Sequence, residues 1–315
     1  MLEAWKEFLR SKRGKQDVQE FQADLMHNIL ALHHDLVAKT YCHGGYHHFK
    51  ISDPKPRDIH KASVRDRLLH HALYRVLYPH FDKKFIADSY SCRIGKGTHK
   101  AMNKFRAFAY QVSKNHTRTV WVLKCDIRKF FASIDHQILF SILERHITDP
   151  NILRLLCEVV GSFKTWSSDD QVLAKGLPLG NLTSQLLVNI YMNEFDQYVK
   201  HKLKVKYYVR YADDFVLLSH DKTDLEKRLR YIVVFLRDQL KLQLHPDKVS
   251  IKTFASGVDF LGWVHFPDHQ VLRTSTKRRM FRCTAGLKKD SLTVQSYLGL
   301  LSHGNTEKLR QVLGG

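Results

Sequence analysis

The sequence predicts an α+β fold, an antiparallel sheet packed by helices. Three observations predict it. Tyr207-Tyr208-Val209-Arg210 and Phe215-Val216-Leu217-Leu218 are rich in strand-favouring residues, and the polar break at Tyr211-Ala212-Asp213-Asp214 between them reads as a hairpin with acids at its turn. Val120 to Asp126 is a second buried-looking strand, ending on an acid. Elsewhere apolar residues recur at helical spacing, as in Leu25, Ile29, Leu30 and Leu36 or in Ile138, Leu139, Ile142 and Leu143. At 315 residues the chain can bury a large core, so one compact body with appended subdomains is expected.

From the N-terminus, residues 1–40 read as helical, and Cys42-His43-Gly44-Gly45 breaks the pattern. Tyr46 to Ile51 turns strand-like, and Asp53-Pro54-Lys55-Pro56 is a stiff connection because each proline fixes its own φ and restricts its predecessor. Arg57 to Arg67 sets several cations beside a short strand, ahead of an apolar helix from Leu68 to Leu77. Arginine forks match phosphate oxygens, although a charge run of this kind also suits a solvated face. Ser91 to Lys100 is a glycine-punctuated basic loop opening onto a helix through about Val112, a plausible phosphate cradle but not a Walker loop.

Asp135 precedes the amphipathic run from Ile138 and suits a helix cap. A stretch with Gly161, Trp166 and Ser167-Ser168-Asp169-Asp170 leads to Lys175-Gly176-Leu177-Pro178-Leu179-Gly180-Asn181-Leu182-Thr183-Ser184-Gln185 and then a helix over 186–199. The glycines and proline make a backbone surface against which a base pair can lie, with Asn181 or Thr183 satisfying orphan amides and Gln185 facing the same cleft; a simple loop-to-helix entry also accounts for the run. Asp224 to Leu240 reads as an amphipathic helix. Phe260-Leu261-Gly262-Trp263-Val264 is a short strand or hairpin whose glycine lets another backbone approach. Beyond it lies a basic tail with Arg273, Lys277, Arg278, Arg279 and Arg282, and a weak helical pattern runs to Gly314-Gly315.

Composition narrows the partners. Lysine and arginine total 51 against 31 acids, a formal net charge of +20, which points to a polyanion and to salt-sensitive binding. No apolar stretch approaches the roughly 20 residues that cross a bilayer, and Glu3, Lys6 and Glu7 break up any signal-peptide core, so a cytoplasmic protein with no membrane partner is expected. Five scattered cysteines fit neither a disulfide framework nor a zinc site. The pairs His33-His34, His47-His48 and His70-His71 lack the separation that puts two ligands on one helix face.

Adjacent carboxylates in a partly dry site are costly unless a cation compensates, and Mg²⁺ is the natural one; a solvated acidic turn is the plainer alternative. Asp126, at the end of its own strand, can supply a carboxylate to a metal held by Asp213 and Asp214.

Taken in order, Asp126 with Phe130-Phe131, Gly-Leu-Pro-Leu-Gly-Asn-Leu-Thr-Ser-Gln, Tyr-Ala-Asp-Asp and Phe-Leu-Gly-Trp resemble the motif series of reverse transcriptases, over about residues 46–280. The likeness is to the bacterial and phage branch of group II introns, retrons and diversity-generating retroelements. Leu179 before Gly180, where glutamine is usual, resembles the diversity-generating form, as do the Asp-Pro-Lys-Pro-Arg entry, Ser-Tyr-Ser-Cys-Arg-x-x-Lys-Gly-Thr-His and the basic tail. No maturase or endonuclease extension is visible.

The resemblance implies a right-hand polymerase: an N-terminal helical extension (1–45), fingers (46–118), a palm (119–268, with part of the fingers around 145–180) and a short basic helical thumb (269–315). It implies RNA-directed DNA synthesis with two Mg²⁺ ions, for which Mn²⁺ can substitute, held by Asp126, Asp213 and Asp214 with the Ile127 carbonyl. Lys61 and Arg67 would contact the deoxynucleoside triphosphate, with Gln185 beside them. Phe131 would exclude a ribose 2′-hydroxyl, or else fill the core. Lys248 resembles a lysine that protonates pyrophosphate, or is a plain turn lysine. Arg57, Arg65, Leu179, Gly180 and Asn181 would contact template or primer, and Phe260, Leu261, Gly262 and Trp263 would form a primer grip. Expected partners are template RNA, nascent cDNA and an accessory RNA-binding protein, with error-prone copying at adenines. A retron or host-defence enzyme and a catalytically silent RNA-binding scaffold are the alternatives.

Overall fold

The computed structural model describes residues 1–53, 56–166 and 172–314. Pro54 and Lys55 of the stiff connection, the Ser167–Asp170 stretch and Gly315 lie outside them. In chain order the first elements are α1 (Leu2–Phe8), α2 (Gln16–Ala23), α3 (Leu25–Val37), β1 (Tyr46–Ile51), β2 (Arg57–Ala62), α4 (Val64–Asp82) and α5 (Thr98–Val112). Next come β3 (Trp121–Asp126), α6 (Phe130–Ser133), α7 (His136–Glu144), α8 (Pro150–Gly161), β4 (Thr165–Trp166), β5 (Val172–Leu173) and α9 (Leu182–Gln197). The chain continues through β6 (Tyr208–Tyr211), β7 (Asp214–Ser219), α10 (Lys222–Leu240), β8 (Ser250–Thr253), β9 (Val258–Phe260), β10 (Trp263–His265) and β11 (Gln270–Leu272) to α11 (Thr274–Thr284), α12 (Leu292–Leu301) and α13 (Glu307–Gly314).

Met1–Ile86, Arg128–Gln197 and Phe235–Gln243 form one compact unit, and Ala87–Ile127, Tyr198–Val234 and Leu244–Gly315 form another. In the first, α4 packs on α9, α7 packs on α8 and α9, and α1 and α2 lie on α4. Helix α4 begins at Val64, a turn before the apolar run, because Ser63 Oγ accepts from the Asp66 amide and caps it. Arg65 and Arg67 therefore sit on the first turns of a helix. Asp66 is buried yet satisfied, taking hydrogen bonds from Tyr41 Oη at 2.7 Å, Ser63 Oγ at 2.6 Å and the Gly44 amide at 3.1 Å. Asp135 caps α7 as its position in the sequence indicates, accepting from the Gln137 and Ile138 amides.

Strands β1 and β2 form an antiparallel hairpin from Tyr46↔Ala62 to Ile51↔Arg57. The glycine-rich run docks on β2: the His60 amide donates to Leu179 O, and Asn181 Nδ2 donates to His60 O, both at 3.0 Å. Asn181 thus ties the run to β2 with its amide group, while its Oδ1 is buried with no partner among the described residues. Gly180, at φ +110°, is needed twice over, since a Cβ there would also meet Ile59 Cγ2 at 3.1 Å.

The second unit is built on an antiparallel sheet of order β6-β7-β3-β8. Helix α5 covers it, with Phe105 and Phe108 packed among Val122, Val216, Phe254 and Phe260. A smaller sheet, β11-β10-β9, turns at Leu261-Gly262, where both residues have positive φ (+53° and +89°). That is the conformation a two-residue hairpin of right-handed strands demands. Gly262 is therefore there for φ and not for close backbone approach: a Cβ on it would have its nearest neighbour, Thr276 Oγ1, at 4.0 Å. Trp263 is buried with Met102, Leu272, Met280 and Leu301, which seats the C-terminal helices on this hairpin. Among the described residues no helix is long and apolar enough to cross a membrane.

Candidate active site

Register brings the acids together. Asp126, the last residue of β3, is the cross-strand partner of Asp214, the first of β7. The Ile127 amide donates to Asp213 O at 3.2 Å, which makes Asp126 and Asp214 a non-hydrogen-bonded pair, the type whose side chains stand closer. Asp213 occupies the two-residue turn between β6 and β7. The turn is tight enough to hold Ala212 at φ +54°, a region costly for a residue with a Cβ. Arg210, fully buried, fastens it: Nη1 donates to Ala212 O at 3.0 Å and Nη2 to Ser89 Oγ at 3.1 Å. From the first residue of α5, Thr98 Oγ1 donates to Tyr211 Oη at 3.2 Å.

The two paired carboxylates differ in their surroundings. Asp214 keeps 19% of its side chain exposed, but its Oδ1 is buried with no hydrogen-bond partner among the described residues. Burial, offset in part by Lys124 and reinforced by Asp126, Asp213 and Asp259, pushes its carboxyl up to about 7. Lys124 Nζ lies 3.6 Å from Asp214 Oδ2 and donates to Asp259 O at 2.6 Å. Asp126 Oδ1 takes the ammonium of Lys248 at 2.7 Å. Lys248 is therefore engaged with an acid, not an idle turn residue.

An orphaned buried oxygen beside two further carboxylates is what a divalent cation would satisfy, so these residues fit one. Among the described residues, no three His, Cys, Asp or Glu side chains converge into a complete metal-binding group. Mg²⁺ commonly binds through one or two carboxylates with water and substrate phosphate completing its shell, which suits this open arrangement.

In the other unit, residues far apart in sequence line one cavity of about 370 Å³: Lys61, Arg67, Gly180, Asn181 and Gln185 among them. Arg65 is not part of it. Its guanidinium pairs with Asp35 at 2.6 Å, donates to Cys42 O and lies over the Tyr41 ring. Arg57 is exposed on β2. Of the adjacent phenylalanines, Phe130 is buried and Phe131 partly exposed, its carbonyl accepting from the Leu177 amide at 2.8 Å. Phe260 and Trp263 are 0% and 1% exposed, so their side chains cannot touch a primer; in that segment only Leu261 and Gly262 stand at the turn. Lys124, Arg210 and Asp17, which pairs with Lys61 and Arg67, were missed by sequence reasoning. For the first two a signal exists: a lone cation inside an apolar strand has to be paired.

The family profile described as reverse transcriptase (RNA-dependent DNA polymerase) matches residues 51–265. The chain belongs to the reverse transcriptase family. Among curated relatives, it is 26% identical to protein YkfC of Escherichia coli over 76% of this chain and 69% of that protein. It is 22% identical to the group II intron-encoded protein LtrA of Lactococcus lactis over 73% of this chain and 47% of LtrA. Solved structures with the same fold include apo telomerase from Candida tropicalis truncated from its C-terminal domain, with a TM-score of 0.54 at 11% identity, covering 79% of this chain and 60% of that one. Telomerase from the same organism in complex with a TWJ fragment of telomeric RNA gives a TM-score of 0.56 at 10% identity, covering 86% and 52%. This reverse transcriptase thus spans about two thirds of YkfC, under half of LtrA and just over half to 60% of the telomerases.

Proposed function

We propose that the chain is an RNA-directed DNA polymerase that extends a primer along template RNA with deoxynucleoside triphosphates. The observation that carries this is the cross-strand pair Asp126–Asp214, with Asp213 beside it in the turn and one buried oxygen left without a partner. In this reading Asp126, Asp213 and Asp214, with the Ile127 carbonyl, hold two Mg²⁺ ions. When bound, the ions activate the primer 3′-hydroxyl and neutralise the triphosphate and the departing pyrophosphate. Lys61, Arg67 and Gln185 grip the incoming nucleotide, and the half-exposed ring of Phe131 excludes a 2′-hydroxyl. Lys248, paired with Asp126, would supply the proton to pyrophosphate. Arg57, Leu179, Gly180 and the Leu261–Gly262 turn contact template and primer, and the basic helices after Arg273 act as a small thumb.

Leu179 before Gly180 and the basic tail support the finer reading, the adenine-mutagenic enzyme of a diversity-generating retroelement working with an accessory RNA-binding protein. The intron-encoded relatives support retroelement context at large, and a retron or host-defence role is the competing form. A silent scaffold is disfavoured because the buried, unpartnered oxygen of Asp214 costs stability, beyond what Lys124 and Lys248 offset, that metal binding would return.

The test is Mg²⁺-dependent incorporation of the four deoxynucleotides on a defined RNA, with and without the candidate accessory protein, followed by sequencing of the cDNA. Asp213→Asn with Asp214→Asn is expected to abolish synthesis and spare RNA binding; surviving synthesis would overturn the metal assignment. Errors concentrated at template adenines favour the retroelement reading, and accurate cDNA favours the retron form.

A further inference from the structure

Lys61 and Arg67 already have an anion. Lys61 Nζ lies 2.6 Å from Asp17 Oδ2, and Arg67 Nη2 donates to the same oxygen. Asp17 is the second residue of α2, so the charge arrives from the N-terminal helices. Phe8 of α1 braces the arrangement, with the Arg67 guanidinium 5.2 Å and the Lys12 ammonium 4.5 Å from its ring centroid. Phe8 and Lys12 line the same cavity as Gly180 and Gln185. Two buried polar atoms of its lining residues, Asn181 Oδ1 and His70 Nδ1, have no hydrogen-bond partner among the described residues. The cavity therefore combines polar groups that await a ligand with cations that are held by the protein's own carboxylate.

We propose that Asp17 is an internal competitor for the anion site: its carboxylate occupies the Lys61–Arg67 pair when no polyphosphate is present and yields the pair when one binds. This rests on the reading of Lys61 and Arg67 as triphosphate contacts. One carboxylate cannot neutralise two cations, so the pair retains a net positive charge that attracts an incoming anion. Asp17 and Lys61 are 33% and 37% exposed, so water screens their ion pair and lowers the cost of exchange, while Arg67, 12% exposed, holds the carboxylate more firmly. A multiply charged triphosphate outcompetes the carboxylate, whereas a monophosphate gains little by displacing it. Asp17 thereby sets a charge threshold and selects polyphosphates over singly phosphorylated nucleotides.

The experiment compares wild type with Asp17→Asn, an isosteric neutral variant, and Asp17→Ser, which keeps a residue suited to a helix start. Binding of inorganic tripolyphosphate and of orthophosphate is measured calorimetrically without metal, and KM for deoxynucleotides with it. Both variants are expected to bind tripolyphosphate about five-fold tighter, the size an exposed ion pair commands, to gain orthophosphate binding, and to show a lower KM. Glu20→Gln, which removes the same charge from an exposed site on α2, is expected to change neither. Unchanged or weaker tripolyphosphate binding in the Asp17 variants, with binding lost in Lys61→Ala, would overturn the competitor and leave the cation assignment standing. Binding indifferent to Lys61→Ala and Arg67→Ala would overturn the triphosphate reading itself.

Discussion

Asp214→Asn is expected to stabilise the metal-free protein above neutral pH while removing its polymerase activity. An unfolded aspartate ionises near 3.8, whereas burial and its acidic neighbours move this one to about 7. Between those values the folded state holds a proton that the unfolded state has lost. The stability this gives is complete below 3.8 and gone above 7, so at pH 8 the fold carries the full cost of an ionised, poorly solvated carboxylate. At about 1.36 kcal/mol per pH unit the upper bound is roughly 4 kcal/mol. Asparagine removes that cost, in which the attraction of Lys124 is already included, and residual solvent contact trims the gain. A net gain of about 1–3 kcal/mol, a few degrees in Tm, is expected at pH 8, falling to about a third of that at pH 5 and to zero only below 3.8, where the unfolded aspartate keeps its proton too. Thermal melts of the chelator-treated proteins at both pH values measure it. Adding Mg²⁺ should raise the wild-type Tm and leave the variant nearly unmoved. An equal gain at both pH values, or none at pH 8, would refute the electrostatic account of this site.

Three further outcomes are expected. Phe131→Ala should raise ribonucleotide incorporation roughly 10- to 100-fold relative to deoxynucleotides, measured as a ratio of kcat/KM, if the ring is the bulk that the proposed function sets against the 2′-hydroxyl. Gly304→Ala should destabilise the second unit by about 2 kcal/mol or more in denaturant melts, since the new Cβ would lie 2.0 Å from Trp263 Cζ3 in a filled core. Acid should unfold the protein early: His70 and His265 are buried neutral, with burial lowering them to about 3 and about 4, so each costs up to about 1.4 kcal/mol per pH unit below 6.5. Replacing His265 with Gln should flatten that slope.

Local chemistry was legible where it acts along the chain. The strand ending on Asp126, the acidic turn, the Asp135 cap and the helix opening after Gly97 all follow from spacing and from residue types with one conformational use. Pairings that cross the chain left no such trace. Asp17 meets Arg67 across 50 positions, and Asn181 meets His60 across 121, with no periodicity to announce either. The Phe260–Trp263 segment misled for another reason: an apolar hairpin reads alike whether its rings face a ligand or a core, and here they face two cores. Gly262 likewise signalled an unusual backbone correctly while leaving open whether φ or crowding required it.

Each compact unit is assembled from three separated stretches, and the first stays incomplete until Gln243 has been made. At typical translation rates, the ribosome takes roughly 8 to 30 s to travel from Ile86 to that point. During this interval β3 has emerged without β7, and α4 without α9. The nascent chain therefore carries an unpaired apolar strand edge and a bare helix face for longer than many small domains take to fold. Expression at lower synthesis rates lengthens that exposure.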